Sequence, residues 1–111
     1  MENNTNETKM TQVAMEIILH AGDARLGLSE VIKCIEANDF EGADIKLTEA
    51  KKEITIAHKA QTNLIQEEAN GVKHENSLLF NHAQDTLMTI SSEWNITSNL
   101  VRLFRSLKES K

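Results

Sequence analysis

The chain has 111 residues, a net charge of −5, 40% hydrophobic but only 4% aromatic residues, four glycines and no proline. That length suits one small domain, the lack of proline removes the strongest helix breaker, and so few aromatics leave little for a β-sandwich, so an all-α fold is expected. No basic stripe invites nucleic acid, no apolar run nears the roughly 18 residues of a membrane-spanning helix, and the polar N-terminus with a single cysteine, Cys34, points to the cytoplasm.

Residues 1–9 are largely Asn, Thr and Glu without an apolar period, and read as a disordered tail. From Met10 the pattern changes. Met10, Ala14, Ile17, Ala21, Ala24, Leu28, Val31 and Ile35 recur at steps of four and three, a heptad seam that predicts a helix over about 10–37. Asn38-Asp39 can close that helix and cap the next. Gly22 and Gly27 inside the helix each cost about 1 kcal/mol relative to alanine, which suggests close backbone packing. Asp23 and Arg25 can tie the helix to a neighbour or edge a docking surface, and a solvated charge pair is an equal reading.

The second predicted helix, about 40–69, repeats the rhythm through Ala43, Leu47, Ala50, Ile54, Ala57, Gln61 and Leu64, with Gln61 a polar residue at a seam position. Asn70-Gly71 is a usual helix terminator, and Val72 to Asn76 reads as the one longer loop. The third helix, about 77–108, carries two apolar rows. One passes through Phe80, Ala83, Leu87, Ile90, Trp94, Thr97, Val101 and Phe104. The other passes through Leu78, His82, Asp85, Thr89, Ile96, Leu100, Leu103 and Leu107. At about 100° per residue the rows lie roughly 140° apart, too far for one three-helix monomer to bury both. Short connections imply an antiparallel up-down-up three-helix bundle. Cyclic association of copies through the third helix would bury the second row about a symmetry axis.

His82 and Asp85, three apart, share that second row. An ionised carboxylate in apolar surface is costly unless paired or metal-bound. About a three-fold axis three Asp85 carboxylates would converge, and three oxygens with three waters would make a plausible octahedral Mg²⁺ shell. Histidine is the natural side chain for reversible phosphoryl carriage, being largely neutral and nucleophilic near neutral pH. Phosphoryl transfer asks mainly for alignment and charge stabilisation. Gln84 and Gln61 could offer amide hydrogens to phosphoryl oxygens, and Thr62, Thr86 and Thr89 hydroxyls. His58, just before Gln61-Thr62, can border the same cleft; His20 reads as a boundary residue, His74 as a solvated loop residue and Cys34 as a small helix residue. No Gly-rich phosphate loop and no CxxC pair occurs.

The segment His82-Ala83-Gln84-Asp85-Thr86-Leu87-Met88-Thr89 resembles the HxQDxLMT motif of the lactose/cellobiose-type enzyme IIA of the bacterial phosphotransferase system. Ala21-Gly22-Asp23-Ala24-Arg25, Ala57-His58-Lys59-Ala60-Gln61-Thr62 and the Asn38-Asp39-Phe40 junction are similar to the family as well, so the likeness covers about residues 10–107. The resemblance implies a homotrimer of three-helix bundles with one Mg²⁺ on the axis, held by Asp85. It implies that His82 takes a phosphoryl group from the carrier protein HPr on its tele nitrogen and passes it to a cysteine of enzyme IIB, for uptake of a β-linked disaccharide. Gln84 matches a residue beside the active histidine, with His58 and Gln61 on the neighbouring helix. Thr86 stands where many members carry a second histidine. A helical-bundle adaptor would also explain the heptads and the second apolar row, but not the motif.

Overall fold

The computed structural model describes residues 5–110, and side chains from Lys9 onward. The chain forms three helices, α1 (Thr5–Glu36), α2 (Phe40–Ala69) and α3 (Leu78–Glu109), each packed against both others. Among the described residues there is no strand.

The seams read from spacing are the core. Met10, Ala14, Ile17, Ala21, Ala24, Leu28 and Val31 of α1 are buried against Ala43, Leu47, Ala50, Ile54, Ala57 and Leu64 of α2 and Phe80, Ala83, Leu87, Ile90 and Val101 of α3. So many alanines bring the helix axes close, and the larger Ile17, Leu87, Ile90 and Val31 fill the space between them. Gly27 belongs to this close approach: a Cβ there would touch the Ala50 Cβ at 3.5 Å. Gly22 does not, because it is exposed with nothing within 4 Å of a Cβ.

Helix α1 starts at Thr5, ahead of the expected position, and so takes in the second half of the segment read as a tail. Lys9 pairs with Glu67 near the end of α2, and Met10 is buried, so the turn before the apolar seam already has partners. Those partners lie on another helix, which local composition does not register. Residues 1–4 of the expected tail fall outside the described residues.

The junction 37–39 reverses the chain through Asn38, whose φ of 58° lies in the left-handed region that asparagine tolerates better than most residues. The Asp39 N–H donates to the Cys34 carbonyl at 2.8 Å, and the Asp39 carboxylate accepts from the Gly42 N–H at 2.9 Å as the cap of α2. Caps of this kind contribute about 1 kcal/mol. A Cβ at Gly42 would run into that carboxylate, which accounts for glycine there.

The longer connection, residues 70–77, folds back over the end of α2, and Ser77 caps α3 by accepting from the Phe80 N–H at 3.1 Å. His74 is therefore not solvated as its loop position suggested. Its side chain is fully buried, with Nε2 3.1 Å from the Glu67 carboxylate. The hydrogen bond from Lys9, with the charges of Lys9 and His74 behind it, holds the Glu67 carboxyl below its ordinary value of 4.5 against partial desolvation. A depressed carboxyl stabilises the fold above the unfolded value and loses that contribution as pH falls through the folded one. This clamp therefore belongs to neutral pH and weakens in acid.

Helix α3 departs from its expected seam in two places. Trp94 is only half-buried; its indole N–H donates to the Leu47 carbonyl at 2.8 Å, and the Lys51 ammonium sits 4.3 Å from the ring centroid, which is packing, as expected. Phe104 is 47% exposed because α3 outruns α1, which ends at Glu36. The second row stays uncovered: Leu78 is 87% exposed, and Ile96, Leu103 and Leu107 are 57% exposed. Among the described residues no helix is long and apolar enough to cross a membrane.

Candidate functional site

His82 lies in the second turn of α3, just past the Ser77 cap. Its neighbour Ala83 faces inward and is fully buried, so the helix turns the imidazole outward. The ring is exposed and makes no hydrogen bond among the described residues, so both nitrogens are open to an incoming group. The exposed Leu78 lies one turn before it on the same face, and Asp85 one turn after. An unencumbered imidazole on apolar surface is suited to accepting a group from a partner that docks there.

Asp85 is exposed, and among the described residues its side chain has neither an ion pair nor a hydrogen bond. A lone hard carboxylate in an exposed apolar row fits the donor chemistry of a Mg²⁺ site shared between copies. One chain supplies one such carboxylate, so any shell built from several needs further copies.

The hydroxyls expected near the site are engaged elsewhere. Thr86 Oγ1 donates to the His82 carbonyl at 2.8 Å, and Thr89 Oγ1 donates to the Asp85 carbonyl at 2.9 Å. Both protons point back along the helix, as threonine hydroxyls in mid-helix tend to do. Thr62 Oγ1 lies 3.4 Å from Nδ1 of the exposed His58, a long contact within α2.

Gln84 and Gln61 do meet, with the Gln61 amide donating to the Gln84 carbonyl oxygen at 2.9 Å. This half-buried bond between α2 and α3 explains the polar residue at a seam position: each amide satisfies the other where an isolated one would be costly. It also separates the pair from His82. Two residues along a helix turn through about 200°, so Gln84 faces α2 while His82 faces away from it. The His58–Gln61–Gln84 group and His82 therefore occupy different flanks of a single chain. Adjacency in the motif suggested a common pocket, and helix geometry denies it within one protomer.

A second polar cluster was not anticipated as a unit. His20 Nδ1 is 2.6 Å from the Glu53 carboxylate, and Asp23 lies beside them. The spacing of His20 and Asp23 was readable, but the contribution of α2 was not. Arg25 reaches the other way, to Glu93 of α3 at 3.0 Å, as the tie expected of it.

Comparison with known proteins finds relatives that span most of the chain. Residues 12–105 match the family described as PTS system, Lactose/Cellobiose specific IIA subunit. The lichenan-specific phosphotransferase enzyme IIA component of Bacillus subtilis is 38% identical over 103 residues, spanning 93% of this chain and 94% of that protein. The lactose-specific EIIA component of Lactococcus lactis is 37% identical over 100 residues, spanning 90% and 95%. Among solved structures, the cellobiose-specific enzyme IIA of Bacillus anthracis superposes with a TM-score of 0.86 at 32% identity, covering 100% of this chain and 97% of that one. The IIA(Chitobiose) of Escherichia coli, solved in complex with HPr, gives 0.78 at 30% identity, covering 89% and 96%.

Proposed function

The chain belongs to the lactose/cellobiose-specific IIA family of the phosphotransferase system, and from that premise we propose that it carries a phosphoryl group on His82 between HPr and a IIB component. The observation that carries this reading is the exposed ring of His82, free of hydrogen bonds in an apolar row. A ring nitrogen attacks phosphorus as the phosphorus–nitrogen bond to the HPr histidine breaks. In the second transfer a cysteine thiolate of IIB takes the group, and the imidazole leaves neutral. The sugar is a β-linked disaccharide, and the chain works in the cytoplasm.

The working unit is a homotrimer with α3 about the axis, which covers Leu78, Ile96, Leu103 and Leu107. Cyclic symmetry sets one flank of each α3 against the opposite flank of its neighbour. The Gln61–Gln84 pair and His58 of one protomer then serve the His82 of another, which supports their assignment despite the separation within a chain. Asp85 supplies the carboxylate for one Mg²⁺ on the axis. Replacing it with leucine should leave a trimer that no longer needs the ion, since charge repulsion disappears together with the ligand. Sedimentation checks this: wild type that stays monomeric at every Mg²⁺ concentration would refute the axial site.

Incubation with phosphoenolpyruvate, enzyme I and HPr should raise the intact mass by one phosphate per chain, and acid should remove it. Absence of any mass gain with active HPr would overturn the assignment.

A further inference from the structure

Lys9, Val13, Glu16, His20, Asp23, Gly27 and Glu30 recur at steps of four and three along the flank of α1 that meets α2. Along this flank charges are matched across the groove: Lys9 pairs with Glu67 and Glu30 with Lys46 at 2.9 Å. Midway the matching fails. Asp23 of α1 and Glu53 of α2 bring two carboxylates together beside the imidazole of His20, and among the described residues no lysine or arginine is bound to either.

One donor atom from each of the three residues lies within 4.8 Å of the others, and the closest two, His20 Nδ1 and a Glu53 oxygen, are 2.6 Å apart. Ligands about 2.1 Å from a tetrahedral Zn²⁺ stand about 3.4 Å from one another. The His20–Glu53 pair stands closer than that, so a shift of these two side chains by under about 1 Å would admit the ion, with an Asp23 oxygen within 4.8 Å of both. The geometry points to a divalent transition-metal site at His20, Asp23 and Glu53, binding one ion per chain with a water completing the shell. An imidazole with two carboxylates suits Zn²⁺ or Co²⁺ better than Mg²⁺, which prefers oxygen donors alone. Binding takes the Nδ1 lone pair of His20, so any proton held between that nitrogen and Glu53 leaves to solvent. His20 and Glu53 are already held together, with side chains 23% and 32% exposed, which reduces the ordering that binding requires.

This site lies between α1 and α2 and shares no residue with the phosphoryl site, whose own α2 members are His58 and Gln61. The test is Zn²⁺ calorimetry and Co²⁺ absorption on the untagged full chain, stripped of metal, as wild type and as Asp85→Leu. Saturation at one ion per chain is expected in both, with Mg²⁺ at millimolar excess failing to compete. His20→Ala and the nearly isosteric Glu53→Gln should each weaken Zn²⁺ binding by at least about tenfold, the lower end of what losing even an outer-shell partner costs. His58→Ala should leave it unchanged. Saturation at one ion per three chains that vanishes in Asp85→Leu, or affinity that survives both His20→Ala and Glu53→Gln, would overturn the proposal.

Discussion

Substitution of His82 by glutamine should abolish acceptance of phosphate from HPr while leaving the fold intact. The two side chains are of similar size and polarity, but an amide nitrogen has no lone pair available for attack on phosphorus. Because His82 is exposed and its ring holds no hydrogen bond among the described residues, its replacement breaks no hydrogen bond or ion pair there. Surface changes of that kind stay within about 0.5 kcal/mol. Intact-mass spectrometry after incubation with phosphoenolpyruvate, enzyme I and HPr should show no labelled chain, against one phosphate per chain in wild type. Circular dichroism and the denaturation midpoint should coincide for the two proteins. Labelling that persists in the variant would move the carrier role to another residue, with His58 next in line, since His74 is sealed beneath the loop and His20 is bound to Glu53.

The largest effect on stability is expected at Leu87, which is 1% exposed in the seam of α3. Truncation to alanine removes the buried methyl groups and leaves a cavity among close-packed helices, which costs about 2–5 kcal/mol. Small domains hold only about 5–15 kcal/mol in all, so this single change would remove a large share. Urea denaturation at fixed protein concentration should show a lower midpoint with an unchanged slope. A loss under about 1 kcal/mol would mean that the core collapses around the gap and that the packing at Leu87 is less tight than its burial implies. Leu87 and His82 separate two roles on one helix: the buried row sets whether α3 is held, and the exposed row sets what it presents.

Much of this was legible from spacing. The recurrence of seam residues covered every buried position of the three helices and overshot only at Ile35, Gln61, Trp94 and Phe104, because a helix that buries one face must repeat at steps of three and four. The two ends of the bundle were less legible. The first turn of α1 is held through Lys9 by Glu67, and the loop around His74 is held by the same carboxylate. Neither contact has a local signature, since the partners come from another helix. Phe104 kept the period of the seam but lost its burial, because periodicity does not know where the neighbouring helix ends.

The sequence by itself determined the three helices, the buried seam, the unpartnered second row of α3 and the prominence of His82 and Asp85. The first three follow from rules that act within one helix, whereas His82 and Asp85 stand out through the resemblance of the motif that holds them. Only the tertiary structure decided that Gln84 turns away from His82 to bond Gln61, and that Glu53 joins His20 and Asp23. Such outcomes depend on the rotation of one helix about its axis relative to the next. That rotation is set by how all the buried side chains interlock at once, and no segment of the chain encodes it alone.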